Sequence, residues 1–357
     1  MIESTAVISE TNPIIKEDLE RIVSADLPWN LLQDKSVLVT GGGFLTAYLI
    51  KSLLALNRLR QLNIQVICVV RSIQSIAVRF SDYLEEPGFS VFHHDISLPL
   101  PSNFPRADFV IHAASQASPK YYHVDPVGTL MANTIGTVNL LNHALKNQSE
   151  RFMFFSSGEV YGIPVNAGHL VREEDYGYLD PMKVRSCYAE SKRMGETMCV
   201  AWAQQYDLHA NVVRPFHTYG PGIALDDGRV FADFVADAVV RKDIVLKSDG
   251  WAQRPFCYIA DATLGFLTVL LKGRKAEAYN VGNPDAEISV RGLAEVIVNL
   301  FPEYGMSTRI EVPADSKAYL ESPVSRSCPS IEKIKGLGWY PSTGIKDGFR
   351  RTIQSFL

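Results

Sequence analysis

The sequence predicts an α/β protein: a doubly wound parallel sheet followed by a smaller C-terminal α/β lobe. Three observations carry this. Short β-branched apolar runs alternate with helical stretches from Lys35 to about residue 222. The runs are continuously apolar, as strands buried on both faces are. A glycine cluster lies between the first run and the first helix, at the edge where such a sheet binds its ligand.

Residues 1–34 read as an N-terminal helical extension. Ile14, Ile15, Leu19, Ile22 and Val23 recur at helical spacing, so IIKEDLERIV forms one amphipathic helix that Pro28 and Trp29 end. It is expected to pack on the body or across a dimer. SVLVT (36–40) is the first strand and FLTAYLIKSLLAL the following helix. IQVICVV (64–70), FSVFHHDI (89–96) and ADFVIHAAS (107–115) are the next three strands. NTIGTVNLLNHAL (133–145) is a helix, and RFMFFSSGEVYG (151–162) is a fifth strand with its loop. CYAESKRMGETMCVAWAQQY (187–206) is a long helix, and ANVVRPFHTYGP (210–221) a further strand and loop. This alternation implies parallel strands joined by helical crossovers. After about residue 222, Gly-, Pro-, Asp- and Ser-rich segments are mixed with helices at 229–241 and 289–301. Residues 35–222 are therefore read as one domain. Residues 223–357 are read mainly as a lobe over the carboxyl edge, with some segments returning to the main sheet.

The 357 residues carry 35 Lys and Arg against 39 Asp and Glu, a net charge of −4, and 46% are hydrophobic. That suits a globular chain and excludes a mostly disordered one. The acidic balance argues against a general nucleic-acid binder, which needs a basic face. No apolar run reaches the roughly 18 residues that span a bilayer. MIESTAVISETNPIIKEDLE has no basic segment followed by an apolar core, so no secretory signal is expected. Cys68, Cys187, Cys199, Cys257 and Cys328 are scattered without CxxC spacing. No disulfide framework or zinc ribbon is expected, and a reducing cytoplasm fits.

Thr40-Gly41-Gly42-Gly43-Phe44-Leu45 lets backbone approach a pyrophosphate, which the helix N-terminus then stabilises. The second strand runs into Arg71, where an acid usually binds the adenosine ribose. Arginine pairs instead with a 2′-phosphate, which tilts the cofactor toward NADP rather than NAD. Asp95 and Ile96, after the third strand, are placed to meet adenine. Tyr188 and Lys192, at i and i+4, share one helix face. The ammonium is expected to lower the tyrosine pKa toward neutrality, giving a base for a hydroxyl proton. Ser156 and Ser157, one strand earlier, offer a hydroxyl to the oxyanion, and Glu159 sits where it can act on a second carbon. His112 reads as a satisfied, half-buried histidine. Arg254, between Trp251 and Phe256, and Arg229 are candidates to clamp a carboxylate or phosphate.

Together these residues resemble the extended short-chain dehydrogenase/reductases, the NAD-dependent epimerase/dehydratase family, whose fold is Rossmann-type. Within it the likeness runs to UDP-glucuronate decarboxylases over about residues 35–355. HAASQASPKYYHVDPVGTLMANTIGTVNLL, DPMKVRSCYAESKRMGETMC, DDGRVFADFV, AQRPFCYIADATLGF and YNVGNPDAEIS match in order and spacing. The resemblance implies a tightly bound, recycled NAD or NADP, and Gly41–Leu45 with Ala113, Ala114 and Ser115 at the cofactor. It implies Tyr188 and Lys192 as the C4 oxidation pair, Ser157 in place of a threonine, and Glu159 as the active-site glutamate. On the substrate side it implies Tyr122, His217, Arg229, Arg254 near the sugar carboxylate, and Arg326 near the nucleotide. It implies a nucleotide-diphosphate sugar as substrate, no metal, a homodimer through the helices around 133–145 and 187–206, and a role in polysaccharide supply.

Departures are specific. The TGxxGFxG loop is one residue shorter, with Thr46 at its last glycine. His217 replaces an asparagine, Gly222 an arginine, and Tyr121 another asparagine. The acid of the dehydratases is Gly158, which argues against 4,6-dehydration, whereas Glu159 favours chemistry at C5 over simple 4-epimerisation. The expected reaction is decarboxylation of a UDP-glucuronate-like substrate through a 4-keto sugar. The rivals are a 4,6-dehydratase or 4-epimerase, and a non-catalytic sensor that binds the same ligands.

Overall fold

The computed structural model describes residues 10–164, 168–311 and 324–357, so residues 1–9 of the expected extension lie outside the described residues. Helix α1 (Pro13–Ser24) precedes β1 (Ser36–Thr40), α2 (Phe44–Arg60), β2 (Gln65–Val70), α3 (Ile73–Arg79), β3 (Phe89–His93) and β4 (Phe109–His112). Next come α4 (Tyr121–Val124), α5 (Pro126–Asn133), α6 (Ile135–Lys146), β5 (Arg151–Phe155), α7 (Cys187–Tyr206), β6 (Ala210–Pro215) and β7 (Thr218–Tyr219). The remainder adds α8 (Val230–Val239), β8 (Ile244–Leu246), β9 (Gln253–Pro255), β10 (Cys257–Tyr258), α9 (Ile259–Lys272) and β11 (Ala278–Val281). It closes with β12 (Glu287–Ser289), α10 (Val290–Leu300), β13 (Thr308–Ile310), α11 (Glu332–Lys335) and α12 (Ile345–Gln354).

Seven strands form the main sheet in the order β3-β2-β1-β4-β5-β6-β11, and every pairing is parallel. The chain order reverses beside β1, and such a switch point opens a crevice at the carboxyl ends of the strands. The apolar runs alternate between two layers. Val37 and Val39, Phe109 and Ile111, and Met153 and Phe155 join one core. Leu38, Val110, Phe152 and Phe154 join the other. Both faces are therefore buried, which is why these runs lack polar alternation.

The extension helix is part of the body. Ile15, Leu19, Ile22 and Val23 pack in the core that α2 and α9 share. Asn12 caps α1, its Oδ1 accepting from the Ile14 and Ile15 amides. The buried Asp18 carboxylate accepts from the hydroxyls of Tyr48 (3.1 Å) and Tyr258 (2.7 Å) and from Arg351 (2.9 Å). Burial raises its pKa even so. One carboxylate thus fastens α1 to α2, to the start of α9 and to α12.

Helices α3, α4, α11 and α12 have no counterpart in the sequence reading, and two further regions differ from it. The helix expected from residue 133 is preceded by a separate α5, capped by Asp125 and broken from α6 at Thr134. Helix α9 is buried nearly all round, so it has no polar stripe to mark it. Strand β11, from the C-terminal region, pairs in the main sheet beside β6. Among the described residues no helix is long and apolar enough to cross a membrane.

Candidate active site

A cleft of about 1050 Å³ opens at the carboxyl ends of the strands. It gathers nearly all the residues singled out from the sequence. Gly41, Gly42, Gly43, Phe44, Leu45, Arg71, Asp95, Ile96, Ala113, Ala114 and Ser115 line one part. Tyr122, Ser157, Glu159, Tyr188, Lys192, His217, Arg229 and Arg254 line the rest. Arg326 is the exception. Its guanidinium makes a two-pronged pair with Glu287, both bonds 2.8 Å, and it is not part of the cleft wall.

The glycine loop is built for close approach. Gly41 has φ +89°, and a Cβ there would lie 3.1 Å from Ala114 Cα. A Cβ on Gly42 would run into Ile76 of α3, whereas one on Gly43 would meet nothing within 4 Å. Gly43 is the N-cap of α2 and offers no side-chain cap, so the first-turn amides are left for an anion. Thr46 donates its hydroxyl to the Gly43 carbonyl at 3.0 Å and so tightens the shortened turn. Gly41→Ala is expected to lower stability by roughly 1–2 kcal/mol, from strain in the left-handed region. It should also weaken dinucleotide binding, as urea denaturation and calorimetric titration would show.

The cleft wall carries buried polar atoms without a hydrogen-bond partner: His94 Nε2, Ser115 Oγ, Gln116 Oε1, Ser156 Oγ, His217 Nδ1 and Ser327 Oγ. Each such atom costs about 1–3 kcal/mol unless something bonds it. The wall therefore fits a large polar ligand, and with the loop it fits a dinucleotide. At the far end Arg71 is exposed. Burial works to raise the Asp95 pKa, but bonds from Ser97 and the nearby Arg71 charge outweigh it and hold it low. Asp95 Oδ1 already accepts from the Ser97 amide and hydroxyl.

Tyr188 and Lys192 stand in the first turns of α7, opposite Ser157 at the end of β5. The Ser157 hydroxyl accepts from the Glu159 amide at 3.2 Å and lies beside the Tyr188 phenol, whose rise in pKa it opposes. Lys192 Nζ donates to the Phe155 carbonyl at 2.7 Å and lies 5.7 Å from the centre of the Tyr188 ring. The ring of Tyr122 stacks on that of Tyr188, 5.2 Å and 16° apart. Tyr122 donates its own hydroxyl to the Ala117 carbonyl, which steadies the stacked ring, and its oxygen keeps acceptor capacity toward the cleft.

The electrostatics correct one expectation. Burial pushes the Tyr188 phenol up to about 12, with the Ser157 bond opposing. Burial also pushes the Lys192 ammonium down to about 7. In the ligand-free site desolvation thus outweighs any help the amine gives the phenolate, because both groups lie out of water.

Arg214, fully buried on β6, holds this apparatus together. It donates to both Glu196 oxygens on α7 (2.8 and 2.6 Å), to the Tyr161 hydroxyl and to the Glu173 carbonyl. Tyr161 belongs to the loop that carries Ser157 and Glu159, so one guanidinium ties that loop to the Tyr188 helix. The sequence reading missed Arg214 because it sits inside an apolar strand. It also missed Arg185, 3.6 Å from Glu159, although the spacing VRSCY sets Arg185 one helical turn before Tyr188.

The remaining candidates divide by their partners. Burial holds the His217 imidazole down at about 3, helped by the Arg254 and Arg229 charges, so it is neutral near pH 7. Arg254 donates to the carbonyls of Gln253, Ser325 and Val324. Arg229 is paired with Asp227, one of the two bonds being 3.0 Å. His112 has Thr40 Oγ1 and the Ala132 carbonyl at its two nitrogens, and it is fully buried rather than half-buried as its place at a strand end suggests. Among the described residues no cluster of His, Cys, Asp or Glu could hold a metal ion.

Comparison with known proteins decides the family. Residues 37–282 match the model of the NAD dependent epimerase/dehydratase family. The chain belongs to that family. Its members are enzymes, and the cofactor in the family's description is the dinucleotide that the cleft fits. UDP-glucuronic acid decarboxylase 6 of Arabidopsis thaliana is 33% identical over 90% of this chain and 88% of its own length. UDP-glucuronic acid decarboxylase 1 of Xenopus tropicalis is 33% identical over 90% of this chain and 72% of its own. Among solved structures, a dTDP-glucose 4,6-dehydratase from Streptomyces venezuelae with NAD bound superposes with TM-score 0.75 at 24% identity, covering 90% of this chain and 96% of its own. The UDP-glucose 4-epimerase of Thermotoga maritima gives 0.74 at 22%, covering 90% and 98%. These structural likenesses establish the extended family fold.

Proposed function

We propose that the chain decarboxylates a UDP-glucuronate-like nucleotide sugar through a transient 4-keto sugar. The observation that carries this is the meeting of Ser157, Glu159, Tyr188 and Lys192 in one cleft with Arg254 and a neutral His217. The curated relatives' names support the substrate class. Gly41–Gly43, the start of α2, Ile96 and Ala113–Ser115 would hold the dinucleotide, which supplies a reversible hydride acceptor.

Tyr188 takes the proton from the sugar O4 as C4 becomes a ketone, and the Ser157 hydroxyl holds that oxygen. The stack on Tyr122 and the Lys192 bond to Phe155 fix the geometry, and such orientation supplies much of an enzyme's rate. Arg254 holds the C5 carboxylate. With a ketone at C4 that carboxylate belongs to a β-keto acid, so carbon dioxide leaves and the electrons rest in an enolate. Glu159, poised by Arg185, assists protonation at C5, and Tyr188 returns its proton to O4.

Gly158 supports decarboxylation over dehydration. Glycine supplies no acid for the departing hydroxyl, and a Cβ there would press on the Phe216 ring at 3.0 Å. The dinucleotide is NAD or NADP, and Arg71, exposed in the cleft wall, is the residue that would pair with the 2′-phosphate of NADP. We place the enzyme in the cytoplasm as a homodimer. Exposed Val127, Ile135, Met194 and Val200 on α5, α6 and α7 offer the apolar face for that pairing.

Incubation with UDP-glucuronate and chromatography of the products tests the reading. A UDP-pentose and carbon dioxide are expected. A 4-keto-6-deoxy sugar or an epimer of unchanged mass would replace it with a rival reaction. No turnover of any nucleotide sugar, with tight binding, would favour a sensor.

A further inference from the structure

Two basic side chains line the rear of the cleft beyond the glycine loop, and they are balanced differently. Lys51 of α2 is buried and pairs with the Glu10 carboxylate at 2.5 Å. Arg79, the last residue of α3, is half-buried and lines the same cleft. Its Nη1 donates to the Gly222 carbonyl at 2.8 Å. No carboxylate pairs with it among the described residues. Burial lowers its pKa, and no neighbouring charge compensates. A guanidinium withdrawn from water with a single carbonyl partner retains donors for an anion.

The anion's place follows from α3. Ile76 and Arg79 are three residues apart and share a helix face. Ile76 packs where a Gly42 Cβ would stand, so this face is turned to the glycine loop. On the other side, Gly222 has φ +82°, and a Cβ on it would come within 3.9 Å of Arg79 Nη1. With no side chain at 222, the guanidinium has open room there. Arg79 and the uncapped start of α2 line the same cleft.

We infer that Arg79 is an anchoring residue for the diphosphate of the dinucleotide, closing from α3 the anion site that the glycine loop and the start of α2 open. This rests on the dinucleotide reading of the cleft. The shared chemistry is a phosphate oxyanion, and the substrate's own diphosphate or a 2′-phosphate are the other sources. The diphosphate is favoured because the α3 face that bears Arg79 packs on the glycine loop.

The test is calorimetric titration of the full chain, wild type and Arg79→Gln, with ADP, adenosine, 2′,5′-ADP lacking the diphosphate, and UDP. Arg79→Gln is expected to raise the ADP Kd about tenfold, the scale of one charge-assisted contact. Adenosine, 2′,5′-ADP and UDP should shift less than twofold, and ADP binding should depend less steeply on salt. Arg79→Lys keeps the charge without the fork and should fall between. It carries the comparison if the glutamine variant does not fold by circular dichroism. An unchanged ADP Kd overturns the inference. So does an equal loss for ADP and adenosine, which marks a structural role through Gly222, or a loss confined to UDP or to 2′,5′-ADP, which moves the anion elsewhere. If wild-type protein binds neither ADP nor NAD, the dinucleotide reading itself fails.

Discussion

Tyr188→Phe should lower turnover of UDP-glucuronate by roughly 10³-fold, the usual scale for losing a positioned acid–base group. Affinity for the nucleotide sugar should stay within a few-fold. The phenol touches Ser157 through its hydroxyl and Tyr122 through its ring face, so phenylalanine keeps the stack and deletes only the proton carrier. Rate should also rise with pH in the wild type. The phenol is pushed up to about 12, so below that value the ionised fraction grows with each pH unit. The variant should lose that dependence. Product chromatography across pH 6–9 reads both effects, and a variant with wild-type turnover would remove Tyr188 from the chemistry.

Lys192→Met should separate activity from stability. The ammonium is buried and held down to about 7 against an ordinary 10.5. Between those values the unfolded chain binds more protons than the folded one, so wild-type stability rises with pH across that window. Methionine has no charge to bury. The variant should be more stable at pH 7 by roughly 1–3 kcal/mol, and the difference should shrink by pH 10. Turnover should fall by roughly 10²-fold or more as the Phe155 bond that orients the amine disappears. Urea denaturation at pH 7 and pH 10 measures the first effect and product formation the second. A methionine variant less stable at pH 7 would show that the Phe155 bond outweighs the desolvation cost.

What could be read in advance follows physical lines. The parallel sheet was legible because strands such as SVLVT and QVICVV are buried on both faces and separated by helices. The helix 187–206 was legible end to end. The Tyr188–Lys192 pair and the glycine loop were legible because their spacing along the chain is their spacing in space. The state of charge was not, since it depends on how much water the folded cleft excludes. Arg326 also shows the limit. Its order and spacing suit a substrate role, but only the fold brings Glu287 within 2.8 Å of it. Arg214 and Arg79 gain meaning only from long-range neighbours, Glu196 for one and Gly222 for the other. Helix α9, apolar all round, carries no directional pattern.

The carboxylate of Asp18 meets Arg351 across 333 positions of chain. During translation that bond cannot close until residue 351 has left the ribosome. Until then α1 has its contacts with α2 but lacks its hold on α12, and the apolar surface around Tyr48 and Tyr258 stays incompletely sealed. The sheet can assemble strand by strand as it emerges, whereas this latch makes completion a late event, and nascent protein stalled short of α12 should be a target for chaperones and proteases.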